Sequence, residues 1–452
     1  MKTVNMIRSS QICFVCILVV LAALLCLTGC NRERQDVSPT AQPPDQTASS
    51  TDSAGAAETA KPTPAPIEYD PADDFQTRFG TCTGLSVWEN DEIMLFSMTT
   101  YNYIGYYDKA SDTFGVLCGK PECMHDLDSN NNSECNGYAL MLTPHITAVN
   151  GRIYFVALDP SDPKSSFLYS EKMDGTDRRE ELRIPGVDVV GSVQDYYLHR
   201  GYLYMCSSVQ EVQNGEPLTY TRFARMRVDT GDYEVIFEGK NYSNANGMCF
   251  VGDSIYMFDS SYLDIESIKL RNVIMRLDAR TGELETVLDC EVDSFDKVMF
   301  RLWVDEEENV FYSVNQQPGI AAVVYKVENG EPVPFMDFAD DDILFETAMF
   351  SDGIIPALGM KRNGETSEVV LWIRDFEGNT VYKGEMPVSF AEELGLEDFG
   401  YHDIQGDKNT LYIVFSQDIT GSLTAAPVFC CVRFEIVSPT ELSGHLVFKS
   451  AE

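Results

Sequence analysis

One short segment of the chain concentrates the residue types that bind metal ions or form disulfides. It runs Cys118-Gly-Lys-Pro-Glu-Cys123-Met-His125, and Cys135 follows after nine intervening residues. Three thiols and one imidazole can form a tetrahedral zinc site. The spacing, C-x4-C-x-H-x9-C, differs from the standard zinc-finger patterns. One disulfide with a spare thiol and three unpaired thiols in an anaerobic habitat are the alternatives, so the sequence leaves three interpretations open.

Motifs of the common hydrolases and nucleotide-binding proteins are absent from the sequence. It has no Gly-x-Ser-x-Gly elbow, His-Glu-x-x-His pair, Gly-x4-Gly-Lys loop or Ser-x-Asp-x-Gly-x-Thr-Trp box. Its 71 Asp and Glu residues are too many for one glycosidase pair to stand out. No catalytic residue is therefore assigned. An enzyme is not excluded, because active sites of repeat folds come from loops scattered along the chain.

The amino terminus has the features of a secretory signal. Lys2 and Arg8 precede an apolar run that ends in Leu27-Thr28-Gly29-Cys30. Small residues before a cysteine resemble the lipobox of bacterial lipoproteins. The resemblance implies that residues 1–29 are a signal peptide removed by cleavage and that Cys30 carries the lipid. The alternative is an uncleaved helix, since the run is long enough to span a bilayer.

The segment after Cys30 favours cleavage and anchoring. Residues 30–69 are rich in Pro, Ser, Thr and Ala and have almost no large apolar side chains. Such a segment cannot bury enough surface to order itself, so we expect a disordered linker. As a coil it reaches roughly 35 Å. The sequence thus predicts an extracytoplasmic protein, attached to the cell membrane by its lipid.

The charge of the chain excludes one class of partner. Its 33 Lys and Arg residues against 71 Asp and Glu residues give a net charge of −38. Phosphate recognition depends on clustered Lys and Arg, so nucleic acid is not an expected partner. Hydrophobic residues make up 44% of the chain, which is typical of a folded protein with a sizeable core.

The remaining sequence consists of repeated β units. A turn signal followed by an aromatic and β-branched run recurs, as in Asn150-Gly151-Arg152-Ile153-Tyr154 and Gly252-Asp253-Ser254-Ile255-Tyr256. Starts near residues 92, 151, 201, 253, 309, 353 and 410 give seven units of about 54 residues, each long enough for four short strands. A single blade cannot bury both faces, whereas a closed ring can.

We therefore predict an all-β fold in which residues 70–452 form one β-propeller with the Cys/His insertion at 118–135. Seven four-stranded antiparallel blades are favoured over a pair of β-sandwiches or a ring of six or eight blades. In the second unit the expected strands are 145–149, 152–158, 167–172 and 179–183. Cys430 and Cys431 are adjacent in an expected strand, so their side chains should enter the core on opposite faces.

A lipobox, a repeated β chain and a Cys-x4-Cys-x-His insertion together resemble the propeller-like lipoproteins of Gram-positive gut anaerobes. The resemblance implies a surface lipoprotein and no particular reaction. The expected function is a non-enzymatic binding or protein-interaction module whose partner is an envelope protein or a glycan. A glycan or small-solute receptor is the alternative, followed by a propeller hydrolase or lyase. No cofactor is assigned, and a structural zinc ion at Cys118, Cys123, His125 and Cys135 is one of the three interpretations left open for the insertion.

Overall fold

The computed structural model describes most of the chain beyond residue 86. The described ranges are 87–98, 102–125, 134–162, 165–184, 193–213, 216–239, 243–244, 248–264, 269–314, 321–363, 366–386, 399–417 and 428–449. The predicted signal peptide, Cys30 and the linker 30–69 lie outside them. The described residues contain no α-helix and one 3₁₀ turn, Phe295–Lys297. No helix among them is long and apolar enough to cross a membrane.

Twenty-nine strands form seven antiparallel sheets, each built from consecutive strands. Blade 1 comprises β1 Val87–Glu89, β2 Ile93–Met98, β3 Tyr103–Asp108 and β4 Thr113–Val116, and blade 2 comprises β5 Leu140–Val149, β6 Arg152–Leu158, β7 Ser166–Lys172 and β8 Arg179–Ile184. Blade 3 comprises β9 Val193–His199, β10 Tyr202–Gln213, β11 Glu216–Arg227 and β12 Tyr233–Glu238. Blade 4 comprises β13 Ser243–Asn244, β14 Met248–Val251, β15 Ser254–Asp264, β16 Lys269–Asp278 and β17 Leu284–Val292.

Blade 5 comprises β18 Met299–Val304, β19 Val310–Val314, β20 Val323–Glu328 and β21 Glu331–Asp337. Blade 6 comprises β22 Ile343–Ala348, β23 Ile354–Asn363, β24 Thr366–Asp375 and β25 Thr380–Glu385. Blade 7 comprises β26 Phe399–Gly406, β27 Thr410–Gln417, β28 Val428–Ser438 and β29 Glu441–Lys449. In blade 4, β13 and β14 both pair with β15. The predicted seven-bladed β-propeller is confirmed. In the second unit the strands lie as predicted, except that the first begins at Leu140 and two others extend by one residue.

Tight turns explain why the sequence signals recur. The turn between β5 and β6 has positive φ at both Asn150 (52°) and Gly151 (73°), and the turn between β9 and β10 has it at Arg200 (47°) and Gly201 (81°). Two residues with positive φ give the turn that matches the twist of a hairpin. Each such turn joins the first strand of a blade to the second. First strands of neighbouring blades lie side by side, as β1 does with β5 and β5 with β9, so they face the central axis.

Seven hydrophobic clusters hold the ring together, one between each pair of neighbouring blades. Alternate residues of a strand enter different clusters because successive side chains point to opposite faces of a sheet. Cys430 packs between blades 6 and 7, and Cys431 packs between blades 7 and 1. Both are buried, as predicted. The inner strands of the blades are therefore apolar on both faces, whereas outer strands such as β12 are largely exposed.

Among the described residues, blades 7 and 1 share no strand, and the contacts seen between them are made by side chains. Phe96 of β2 stacks on Phe448 of β29 with ring centroids 4.9 Å apart. The Tyr412 hydroxyl donates a hydrogen bond to Glu89, which also pairs with Lys109 at 2.8 Å. His445 of β29 also lies 2.8 Å from Asp112 of blade 1. An aromatic contact and at least two polar contacts therefore join the two blades.

The same kind of tyrosine–carboxylate bond joins blades 4 and 5. Tyr256 occupies in β15 the position that Tyr412 occupies in β27, the third residue of the second strand, and its hydroxyl donates to Glu308 of the next blade. Arg276 lies opposite Tyr256 in the sheet and pairs with Glu308 at 3.1 Å. The repeated tyrosine therefore connects a blade to its successor.

Replacing Tyr412 with Phe should weaken the contact between blades 7 and 1 that closes the ring. A hydrogen bond to a charged group contributes about 1.5–3 kcal/mol. Since Lys109 continues to pair with Glu89, we expect the lower part of that range. Urea unfolding measures the global loss. Hydrogen exchange should quicken in β1, β2, β27 and β28, because these blades are not joined directly along the chain.

Tyr256→Phe is the matched control, since it removes the same bond at a joint where the chain runs on from blade 4 to blade 5. We expect a comparable global loss without faster exchange in blades 1 and 7. If hydrogen exchange in blades 1 and 7 were equally slow in the two variants, this role for Tyr412 would be contradicted.

Candidate metal site

The four residues singled out from the sequence lie together in the loop between β4 and β5. The ligand atoms of Cys118, Cys123, His125 and Cys135 are all within 4.8 Å of one another. Cys135 is buried, and the other three are half-buried. No other group of three or more Cys, His, Asp or Glu residues within the described ranges could hold a metal ion.

The outer edge of blade 1 fixes both ends of this loop. The amide of Leu117, just after β4, donates to Ile104 O at 2.8 Å. The amide of Ile104 in turn donates to Gly137 O at 2.9 Å. The returning segment therefore continues the edge of the sheet where β4 ends. Cys118 and Cys135, which adjoin these anchors, are brought to the same place although 16 residues separate them.

The hairpin between β7 and β8 of blade 2 holds the loop from the other side. Gly175 O accepts hydrogen bonds from the amide of Gly119 at 3.0 Å and from Nδ2 of Asn136 at 2.8 Å. A Cβ atom at Gly175 would lie 2.7 Å from the backbone nitrogen of Cys118. Asp174 and Gly175 therefore form a tight turn that also supports the cysteine loop.

The thiols differ in their electrostatics. Burial acts to raise the pKa of Cys118, but hydrogen bonds from His125 and from the backbone amides of Lys120 and Asn136 outweigh it and leave the pKa lowered. Burial raises the pKa of Cys135, and the neighbouring Cys123 and Cys118 raise it further. One thiolate therefore forms readily and opposes a second. A divalent cation would relieve that repulsion.

The site fits a metal ion by two further observations. Nε2 of His125 is buried without a hydrogen-bond partner. Cys118, Cys123 and Cys135 carry free thiols, which are available as metal ligands. Ligands of a tetrahedral metal–thiolate site lie roughly 3.7 Å apart. The observed limit of 4.8 Å then requires shifts of only about 1 Å.

Two charged residues beside the site were not found from the sequence. Glu171 in β7 is fully buried, and neither carboxylate oxygen has a hydrogen-bond partner. Burial raises its pKa to about 8, and Arg178 acts in the opposite direction. Arg178 precedes β8 and donates through Nη1 to Asn136 O at 3.0 Å. No spacing signal links these residues to cysteines more than 35 positions away, since only the packing of blade 2 on blade 1 unites them.

Comparisons with known proteins identify the fold but no family. No family model and no curated protein matches the chain. A puromycin hydrolase is similar in structure with TM-score 0.50 and 12% identity, over 85% of this chain and 56% of that one.

A puromycin-hydrolysing peptidase from Mycobacterium tuberculosis gives TM-score 0.49 and 11% identity over 87% of this chain and 57% of that one. An oligogalacturonate lyase in complex with manganese gives TM-score 0.43 and 10% identity over 80% of this chain and 88% of that one. The chain thus spans little more than half of the two puromycin-cleaving enzymes. At these identities the likeness extends to the propeller fold alone.

Replacing Gly175 with Ala should disrupt the metal site. Gly175 has a φ of 71°, and its added methyl group would meet the backbone of Cys118. We expect weaker metal uptake, measured by titration with Co²⁺ and its thiolate absorption bands, together with a loss of stability.

Gly151→Ala separates strain from contact. Gly151 has nearly the same φ, 73°, and nothing lies within 4 Å of the added methyl group. Both variants should lose about 1–2 kcal/mol of stability through the left-handed backbone. Only Gly175→Ala should lose metal. Equal metal uptake by the two variants would show that the hairpin does not support the site.

Proposed function

We propose that the chain is a lipid-anchored envelope protein whose propeller is a non-enzymatic binding module for a protein partner. A structural zinc ion at Cys118, Cys123, His125 and Cys135 stiffens its rim. The observation that carries the proposal is the closed ligand set. Four protein ligands complete a tetrahedron, whereas catalytic zinc sites keep one position for water or substrate. The ligand type also favours zinc, because thiolates and imidazole suit it better than the oxygen-preferring cations.

The anchored location rests on residues outside the described ranges. The lipobox-like ending at Cys30 and the linker 30–69 support it. Two or more acyl chains give stable attachment where one does not. A flexible linker then lets the acidic propeller stand away from the anionic membrane surface, which would repel it. This arrangement favours contact with other envelope proteins.

The distribution of aromatic residues favours a protein partner over a glycan. Most aromatic side chains of the described strands are in the clusters between blades. Among the described residues, the large aromatic side chains that are exposed are Phe114, Tyr233 and Phe295. They belong to β4 of blade 1, β12 of blade 3 and the turn before β18 of blade 5. Such separated rings do not form the stacking platform that a sugar needs.

Metal analysis tests the zinc site. We expect about one zinc ion per purified chain, because four ligands converge at one point. Cys135→Ser should abolish binding and lower the melting temperature. Cys290→Ser is the control, since Cys290 is a half-buried thiol of β17 outside the cluster. A zinc-free chain in which thiol titration finds two of the three cysteines oxidised would establish the disulfide instead.

Crosslinking on intact cells tests the binding module. The full-length protein should remain with the membrane fraction and capture one dominant envelope protein. Cys30→Ser should leave the membrane fraction and lose that capture, because lipid can no longer be attached. Capture of wall or dietary glycan without a protein would replace the proposal with the receptor. Retention of Cys30→Ser in the membrane would instead favour the uncleaved helix.

A further inference from the structure

A half-buried arginine of blade 2, Arg178, lies beside the cysteine cluster. Arg178 lies against two aromatic rings, 4.5 Å from the centroid of Tyr169 and 5.1 Å from that of Phe155. Burial lowers its pKa, and the nearby Glu171, Tyr169 and Cys135 act to raise it. A guanidinium group stays protonated under these conditions. Blade 2 therefore presents a positive charge to the loop that carries the cysteines.

The hydrogen bonds of Arg178 are directed at the segment after Cys135. Nη1 donates to Asn136 O at 3.0 Å and also to Tyr138 O. The amide of Asn136 is one of the groups that hydrogen-bond to the Cys118 thiol. Fixing this segment thus places two of the four ligands at once. Nη2 of Arg178 is buried and has no hydrogen-bond partner.

The positive charge of Arg178 would balance the net charge of a zinc-loaded cysteine cluster. A zinc ion with three thiolates and a neutral imidazole has a net charge of −1, and a buried charge is costly unless it is compensated. Two acids, Glu171 and Glu180, also attract the charge of Arg178. Burial favours the neutral form of Glu171. The positive charge of Arg178 is therefore shared between Glu180 and the cysteine cluster.

We infer that Arg178 is the positioning residue of the metal site, compensating the negative charge of the loaded cluster and fixing the segment that bears Cys135. The inference rests on the proposed zinc site. Partners beyond the immediate ligands commonly change metal affinity by roughly 10–100-fold. The geometry places Arg178 in that class, because it touches the ligand-bearing backbone from a different blade.

The test measures zinc affinity of the full chain by competition with a chromophoric chelator, and Co²⁺ absorption reports the ligand geometry. Arg178→Met keeps the apolar stem and removes the charge, so we expect affinity to fall roughly 10–100-fold. Arg178→Lys keeps the charge but not the planar donor group. It should recover part of the affinity, while its Co²⁺ bands shift because the Cys135 segment is held less firmly.

Arg225→Met is the matched control. Arg225 lies 4.9 Å from the ring centroid of Tyr202, and its Nη1 donates to Ala279 O at 3.3 Å across the joint of blades 3 and 4. The inference is supported if only Arg178→Met weakens zinc binding while both metal-free variants lose similar stability in urea. Wild-type affinity in Arg178→Met, or an equal loss in Arg225→Met, would overturn it. A wild-type chain that takes up no zinc would overturn the zinc proposal as well, which distinguishes the two failures.

Discussion

The contact between blade 7 and blade 1 is the constraint on which the rest of the ring depends. Every other joint is reinforced by the chain that runs from one blade into the next. Here the described parts of blades 7 and 1 share no strand, so the contact seen between them is made by side chains. The Phe96–Phe448 stack provides apolar burial, and polar contacts join Tyr412 to Glu89 and His445 to Asp112. Because removing apolar surface from water is non-directional, these polar contacts are what specify one arrangement.

The cysteine loop is continuous with this closing joint. Cys135 and Tyr138 belong to the hydrophobic cluster shared by blades 1 and 7, and Cys118 and Cys123 pack against it. The same loop is held by Gly175 and Arg178 of blade 2. A cross-link among the four ligand residues would therefore stiffen the blade on which both neighbours rely.

The sequence predicted the ring but not its joints. Turn residues and the period-two pattern act locally, so the blade number and most strand positions of the second blade followed from them. Tyr256 and Tyr412 recur at equivalent positions of the sequence repeat. Their acidic partners could not be identified from the repeat, because they belong to the next blade. The four cluster residues were found because they are close in sequence. Arg178 and Glu171 were missed because their relation to Cys118 exists only after blade 2 packs on blade 1.

The acidity of the chain makes the arginines between blades important. With 33 Lys and Arg residues against 71 acids, most carboxylates have no cation of their own. Several arginines lie at joints between blades: Arg178 faces blade 1, Arg225 reaches Ala279 of blade 4, and Arg276 pairs with Glu308 of blade 5. Each bridges two sheets by contacts that a lysine could not reproduce with one ammonium group. Because their contacts cross from one blade to the next, these positions should tolerate substitution less than the exposed acids do.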